Sequence, residues 1–256
     1  MRRRPLPGRA RDSVGLTAGA EPLLRVEGLT KRFGGLLAND RIDLQVGRGE
    51  IVGLIGPNGA GKTTFFNGIT GQLPVDEGRV LFGGEDLTNR PPEAVARAGI
   101  ARTFQIVKVF REMSVLDNVI VGAFLRERTR RGARDRAFEA LRATGLAPHA
   151  QVAAGELPVA LQKRVELGRA VATGPKLIVL DEALSGIDAA ETRDALEVLR
   201  GLRGRGIALL VVEHVMEVIM AVSDRVVVLD AGRRIAEGPP GEIARDPRVI
   251  EAYLGA

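Results

Sequence analysis

Apolar residues fall along this chain in two different rhythms. Compact runs rich in Val, Ile and Leu occupy 23–28, 42–46, 50–55 and 79–83, and they return at 176–180, 207–212 and 225–229. Short apolar runs bounded by turn-forming residues predict strands, with Asn39-Asp40 and Gly47-Arg48-Gly49 as turns between the first three. From roughly 106 to 172 the spacing becomes helical. It predicts helices over Asn118–Arg130, Ala133–Thr144 and Leu161–Ala172, broken at Gly145-Leu146-Ala147-Pro148. Further helices are expected from about 189 and 214. Apolar strands alternating with helices describe an α/β chain with a mainly parallel sheet covered on both faces. The helical middle reads as an insertion into that core.

One apolar run ends in chemistry. Glu50–Ile55 leads into Gly56-Pro57-Asn58-Gly59-Ala60-Gly61-Lys62-Thr63-Thr64, a full match to G-x-x-x-x-G-K-[ST], and Thr63–Ile69 continues helically. A strand, a glycine turn and a helix start are the context that makes this string a phosphate site. Glycines let backbone N–H groups converge on an anion, and the helix N-terminus adds partial positive charge. Lys62 is expected to reach the β/γ-phosphates of a nucleoside triphosphate, and the Thr63 hydroxyl to ligate Mg²⁺.

Other candidates gather where strands of a parallel sheet would end. Leu177–Leu180 runs into Asp181 and Glu182. The carboxyl ends of such strands face the ligand crevice, so Asp181 is placed to hold Mg²⁺ and Glu182 to polarise an attacking water. His214 follows the run 207–212 and reads as a γ-phosphate sensor. Gln105 closes Gly99–Gln105, where its amide can meet Mg²⁺ or the lytic water. Phe33, upstream of the glycine loop, is expected to stack on adenine.

Composition narrows the setting. The chain has 256 residues, 45% of them apolar and none cysteine, which removes disulfides and thiolate metal sites. No uninterrupted apolar run is long enough to span a bilayer. Net charge is +5, but five arginines against Asp12 place +4 of it in residues 1–20. That segment lacks the apolar stretch of a secretory signal and reads as a disordered basic tail. A nearly neutral remainder argues against nucleic acid as a partner.

Taken in order, these motifs resemble the ATP-binding cassette family over about residues 23–256. An aromatic loop (Phe33), Walker A (Gly56–Thr63), a Gln loop (Gln105), Walker B with its glutamate (Asp181, Glu182), a D-loop-like Ser185-Gly186-Ile187-Asp188 and a switch histidine (His214) follow that family's sequence. Lys31–Gly35, Ala101–Gln105, Glu213–Glu217 and Val249–Gly255 look like the branched-chain amino acid importer branch. Cassettes for urea or short amides and for lipopolysaccharide export look similar.

The resemblance implies a P-loop NTPase core with an antiparallel β subdomain and an inserted helical subdomain at about 106–172. It makes 21–256 one ATP-binding domain, with ATP and Mg²⁺ as cofactors. The implied activity is ATP hydrolysis driving amino-acid import. The implied partners are a second cassette, transmembrane permease subunits and, indirectly, a solute-binding protein, at the cytoplasmic face of the cell membrane.

One stretch departs from the pattern. Where the family has Leu-Ser-Gly-Gly-Gln, this chain has Leu157-Pro158-Val159-Ala160-Leu161. Pro158 removes a hydroxyl and an N–H, and Ala160 adds a Cβ where glycine permits close approach. A missing hydrogen bond to a charged phosphate costs roughly 1.5–3 kcal/mol. Ala183 stands where the family usually has proline. A catalytically weak regulatory cassette, or one paired with a different cassette, therefore stays open. Pro158 itself is expected to favour the helix start.

Overall fold

The computed structural model describes residues 21–103, 108–182, 186, 188–213 and 216–254. Strands β1 (Leu24–Phe33) and β2 (Leu36–Val46) form a hairpin that lies against β4 (Glu77–Phe82) and the short β5 (Glu85–Asp86) in an antiparallel sheet ordered β2-β1-β4-β5. The larger sheet runs β10-β9-β3-β8-β7-β6, from β3 (Ile51–Ile55), β6 (Ile100–Arg102), β7 (Leu177–Asp181), β8 (Ala208–Val212), β9 (Arg225–Asp230) and β10 (Arg233–Gly238). Its pairings are parallel except β9 with β10. Every residue of β3, β7 and β8 is buried, which is why these strands read as continuous rather than alternating apolar runs.

Helices cover both faces of this sheet. Helix α1 (Lys62–Ile69) buries Phe65, Phe66 and Ile69 against Leu54, Val179 and Leu210. On the opposite face α6 (Ala189–Gly204) and α7 (Met216–Val222) bury Leu199, Leu202 and Ile219 against Ile55, Ile178 and Val211. Asp188 caps α6 through a reciprocal arrangement with Glu191. Short helices α2 (Pro92–Ala98), α8 (Pro240–Ile243) and α9 (Pro247–Leu254) complete the layers.

Helices α3 (Val115–Ala123), α4 (Arg130–Ala143) and α5 (Val159–Ala172) share a core of their own, built on Val115, Val119, Ala137, Leu141 and Val165. Asn118, fully buried, anchors this unit. Its amide accepts from the Phe110 N–H at 2.8 Å and donates to the carbonyls of Phe110 and Ser114 at 3.0 Å each.

Two expectations are corrected. Asn39-Asp40 is not a turn but lies inside β2; the turn is at Gly34-Gly35. Register shifts between β1 and β2, with Arg41 at φ 48°, absorb the local turn preference as a bulge. The helix expected over Asn118–Arg130 starts at Val115, capped by the Ser114 hydroxyl, and ends at Ala123. Thr129 caps a new helix there, so Arg130 opens α4 rather than closing α3.

Arg225, 5% exposed, fastens the sheets to one another. It pairs with Glu50 at 3.0 Å and with Glu237, and donates to the Gln45 carbonyl at 2.7 Å.

Candidate nucleotide site

The glycine loop is held by backbone rather than by side chains. A Cβ on Gly56 would stand 2.1 Å from the Leu229 carbonyl oxygen, and one on Gly61 2.4 Å from that of Ala38. At φ 153° and 95° these positions also need the conformations glycine tolerates. Buried Asn39, in β2, donates its amide to the Gly61 carbonyl at 3.1 Å. On the far side Tyr253 of α9 reaches back to the loop, its phenolic oxygen taking the Gly56 N–H. Partial burial nonetheless pushes its pKa up.

Lys62 folds back into the loop. Its Nζ donates to the carbonyls of Gly56 at 2.6 Å and Pro57 at 2.9 Å, and the residue is only 7% exposed. Burial draws its ammonium below the usual value, while the charges of Glu182 and Asp181 work to hold it up. Asn58, Gly59 and Thr63 are exposed, Pro57, Gly61 and Thr64 half-buried, and Ala60 buried. The loop thus presents its backbone and the Thr63 side chain outward with an ammonium behind them.

Sheet register sets the acids opposite. Leu54 pairs with Val212, and Val212 with Asp181, so the carboxyl ends of β3, β8 and β7 stand in one row. Asp181 is 4% exposed. Glu182 takes φ 51°, a left-handed backbone that an L-residue adopts at a cost of about 1–3 kcal/mol. Two hydrogen bonds hold it there: its N–H donates to the Val212 carbonyl at 2.9 Å, and Lys163 of α5 donates to its carbonyl at 3.3 Å. Thr63 and Asp181 offer one hydroxyl and one carboxylate, a set suited to Mg²⁺ already carried on a phosphate. Among the described residues no three His, Cys, Asp or Glu side chains gather into a self-sufficient metal cage.

Phe33 ends β1 with 48% of its surface exposed, and the Lys31 ammonium lies 5.6 Å from its ring centre. An exposed aromatic leaves a face for stacking. Gln105 and His214 lie outside the described residues, as do Ala183, Ser185 and Ile187, which follow Glu182 in sequence. The altered signature forms the start of α5. Pro158 is its N-cap and provides no side-chain hydrogen bond, so the expected help at the helix start is limited to geometry. Val159 beside it is 59% exposed.

Sequence reasoning passed over Asn39, Tyr253 and Arg102. Arg102 at the end of β6 donates to Asp181 Oδ2 at 2.7 Å. The pairing of β6 with β7 makes that contact, and no local spacing encodes it.

A glycine loop between a buried strand and a helix, facing acids across a parallel sheet, defines a nucleotide-binding protein of the P-loop NTPase class. Residues 39–185 match the ABC transporter family, and residues 233–256 match the branched-chain amino acid ATP-binding cassette transporter family. The chain belongs to the ATP-binding cassette transporter family.

It is 40% identical over 252 residues to the high-affinity branched-chain amino acid transport ATP-binding protein LivG of Escherichia coli strain K12, spanning 92% of this chain and 99% of that protein. The corresponding BraF protein of Pseudomonas aeruginosa is 38% identical over the same shares. Among solved structures, the ADP conformation of MJ1267, an ATP-binding cassette of an ABC transporter, superposes with a TM-score of 0.85. It is 34% identical and covers 93% of this chain and all of its own. The protein is thus a nucleotide-binding ATPase subunit of a kind that forms dimers and works with transmembrane permeases. No helix among the described residues is long and apolar enough to cross a membrane.

Proposed function

We propose that this chain is the ATPase of an importer for branched-chain or related amino acids, acting at the cytoplasmic face of the membrane beneath its permease subunits. The observation that carries the reading is the Lys62 ammonium lodged in the glycine loop within the field of Glu182 and Asp181. Residues 233–256, which match the branched-chain family, and the LivG and BraF relatives support the solute class.

In this reading the amides of Gly56–Thr64 and the Lys62 ammonium bind the β- and γ-phosphates of ATP, and Phe33 stacks on the adenine. Thr63, Asp181 and Gln105 would hold Mg²⁺, whose chemistry is to neutralise phosphate charge. Glu182 takes a proton from the attacking water, and its two backbone hydrogen bonds fix where the carboxylate starts. His214 senses the γ-phosphate. A second cassette and the permease complete the assembly, with a solute-binding protein delivering the amino acid. In proteoliposomes holding the cognate permease, leucine, isoleucine or valine with its binding protein should stimulate phosphate release several-fold. Equal turnover with and without solute would overturn the assignment.

The start of α5 favours a second reading of the dimer. Pro158 and Ala160 stand where serine and glycine would meet the partner's nucleotide, so a different cassette with an intact signature makes two unequal sites. Single-turnover measurements on the purified complex should then find one fast and one slow ATP. Two equal rates would exclude it.

A further inference from the structure

The pairing of β1 with β4 ends at Thr30 opposite Glu77, while β1 itself runs on to Phe33. Past that point Asp76, the residue before β4, continues the contact with its side chain. The Asp76 N–H donates to the Thr30 carbonyl at 2.9 Å. Its carboxylate then reaches further along β1: Oδ2 accepts the Arg32 N–H at 2.7 Å, and Oδ1 accepts from the Lys31 ammonium at 3.0 Å. The Arg32 N–H and the Lys31 ammonium together hold the Asp76 carboxyl below its ordinary value, so it stays ionised at neutral pH.

Both contacts bear on the aromatic residue that follows. The same Lys31 ammonium lies 5.6 Å from the centre of the Phe33 ring, a favourable approach of cation to π system. One carboxylate thus fixes the backbone just before the ring and the cation beside it. The Arg32 side chain turns instead toward Glu77, 4.0 Å away. Asp76 is also anchored from behind, by contacts that do not involve its carboxylate. Buried Val75 donates its N–H to Asn89 Oδ1 at 2.7 Å and accepts from Asn89 Nδ2 at 3.1 Å. A Cβ on Gly68 of α1 would stand 2.9 Å from Val75 Cγ1, so this turn packs directly on the helix that follows the glycine loop.

We propose that Asp76 is the residue that sets the Phe33 ring in place for adenine, and so governs affinity for the base separately from affinity for the phosphates. It is a positioning residue, acting through Arg32 and Lys31. Without its carboxylate the end of β1 has lost its partner on the β4 side, and ordering that end on binding costs conformational entropy. The phosphate side keeps its support, because Val75 and Asn89 remain packed on α1. This inference rests on the reading of Phe33 as the surface on which adenine stacks.

Isothermal titration of the full chain with a non-hydrolysable ATP analogue and with inorganic tripolyphosphate, which has the phosphates but no base, tests it. Phe33→Ala should weaken the analogue about tenfold, the scale of one lost base stack, and leave tripolyphosphate within about twofold. Asp76→Ala should weaken the analogue about fivefold, again with tripolyphosphate within about twofold. Added to Phe33→Ala, the same change should do nothing further, because both act through one ring. If Asp76→Ala does not fold, Asp76→Asn decides: it keeps the shape, loses the charge that holds Lys31, and should weaken the analogue alone by about threefold. Equal losses for both ligands would make Asp76 a purely structural residue and overturn the proposal. So would an unchanged affinity for the analogue, or an undiminished loss once the Phe33 ring is gone. Phe33→Ala binding the analogue as tightly as the wild type would instead sink the reading of Phe33, and this inference with it.

Discussion

Glu182 and Gly61 both occupy left-handed backbone, yet for opposite reasons. Gly61 does so because nothing larger fits: its missing Cβ would collide with the Ala38 carbonyl and the Asn39 amide. Gly61→Ala should therefore destabilise the fold by about 2 kcal/mol or more and weaken nucleotide binding with it. Urea unfolding and ATP-analogue titration on the same preparation would check both.

Glu182 instead carries a full side chain into that region, held by Val212 and Lys163. Glu182→Gln keeps shape and backbone, so ATP should bind within about twofold while hydrolysis falls by about 10² or more. A wild-type burst of phosphate would remove Glu182 from the role of base.

At this scale the sequence spoke most clearly where the chemistry is contiguous. Gly56–Thr64 and Asp181-Glu182 were readable because strand, turn and ligand groups adjoin. Arg102 was not, since the partner that gives it meaning lies 79 positions away and is reached only through strand register.

Among the elements, α5 connects the most parts of the site. Its first turn carries the altered signature, Lys163 reaches Glu182, and Glu166 accepts the Lys108 N–H at 2.8 Å where the described chain resumes after Gln105. Arg169 donates to the Lys108 carbonyl at 2.7 Å and pairs with Glu166 at 3.4 Å.

Burial pushes the Glu166 carboxyl above its ordinary value of 4.5, against the Lys108 N–H and the charges of Arg169, Lys108 and Lys163. With the folded value raised, the native chain holds this proton more tightly than the unfolded one. Its contribution to stability is full below 4.5 and declines as pH rises through the folded value. Glu166→Gln keeps an acceptor for Lys108 and should flatten the melting temperature over that window. A slope identical to the wild type would show that Glu166 does not titrate there.

The helices of this region were expected from spacing, but their ends were not. Ser114 and Thr129 decided where α3 and α4 begin, and short polar caps outweighed the apolar rhythm that ran across them.

The whole molecule joins a parallel sheet, an antiparallel sheet and a helical unit. The parallel strands announced themselves because both faces are buried. The antiparallel hairpin was harder to see: Asn39-Asp40 looks like a turn and serves instead as a strand that braces the phosphate loop. Arg225 binds the sheets together from Glu50, Glu237 and the Gln45 carbonyl. Truncating it leaves two carboxylates facing each other, so Arg225→Ala should cost about 3 kcal/mol in denaturant unfolding. A loss under half of that would mean solvent takes over its role.

The reach of α9 to the loop has a practical side. Tyr253 touches the Gly56 amide, and Leu254 beside it is 81% exposed. Anything fused close behind that helix starts only a few residues from the glycine loop, each residue adding at most about 3.6 Å of reach. Affinity handles and fluorescent labels joined to this end of the subunit would therefore crowd the glycine loop.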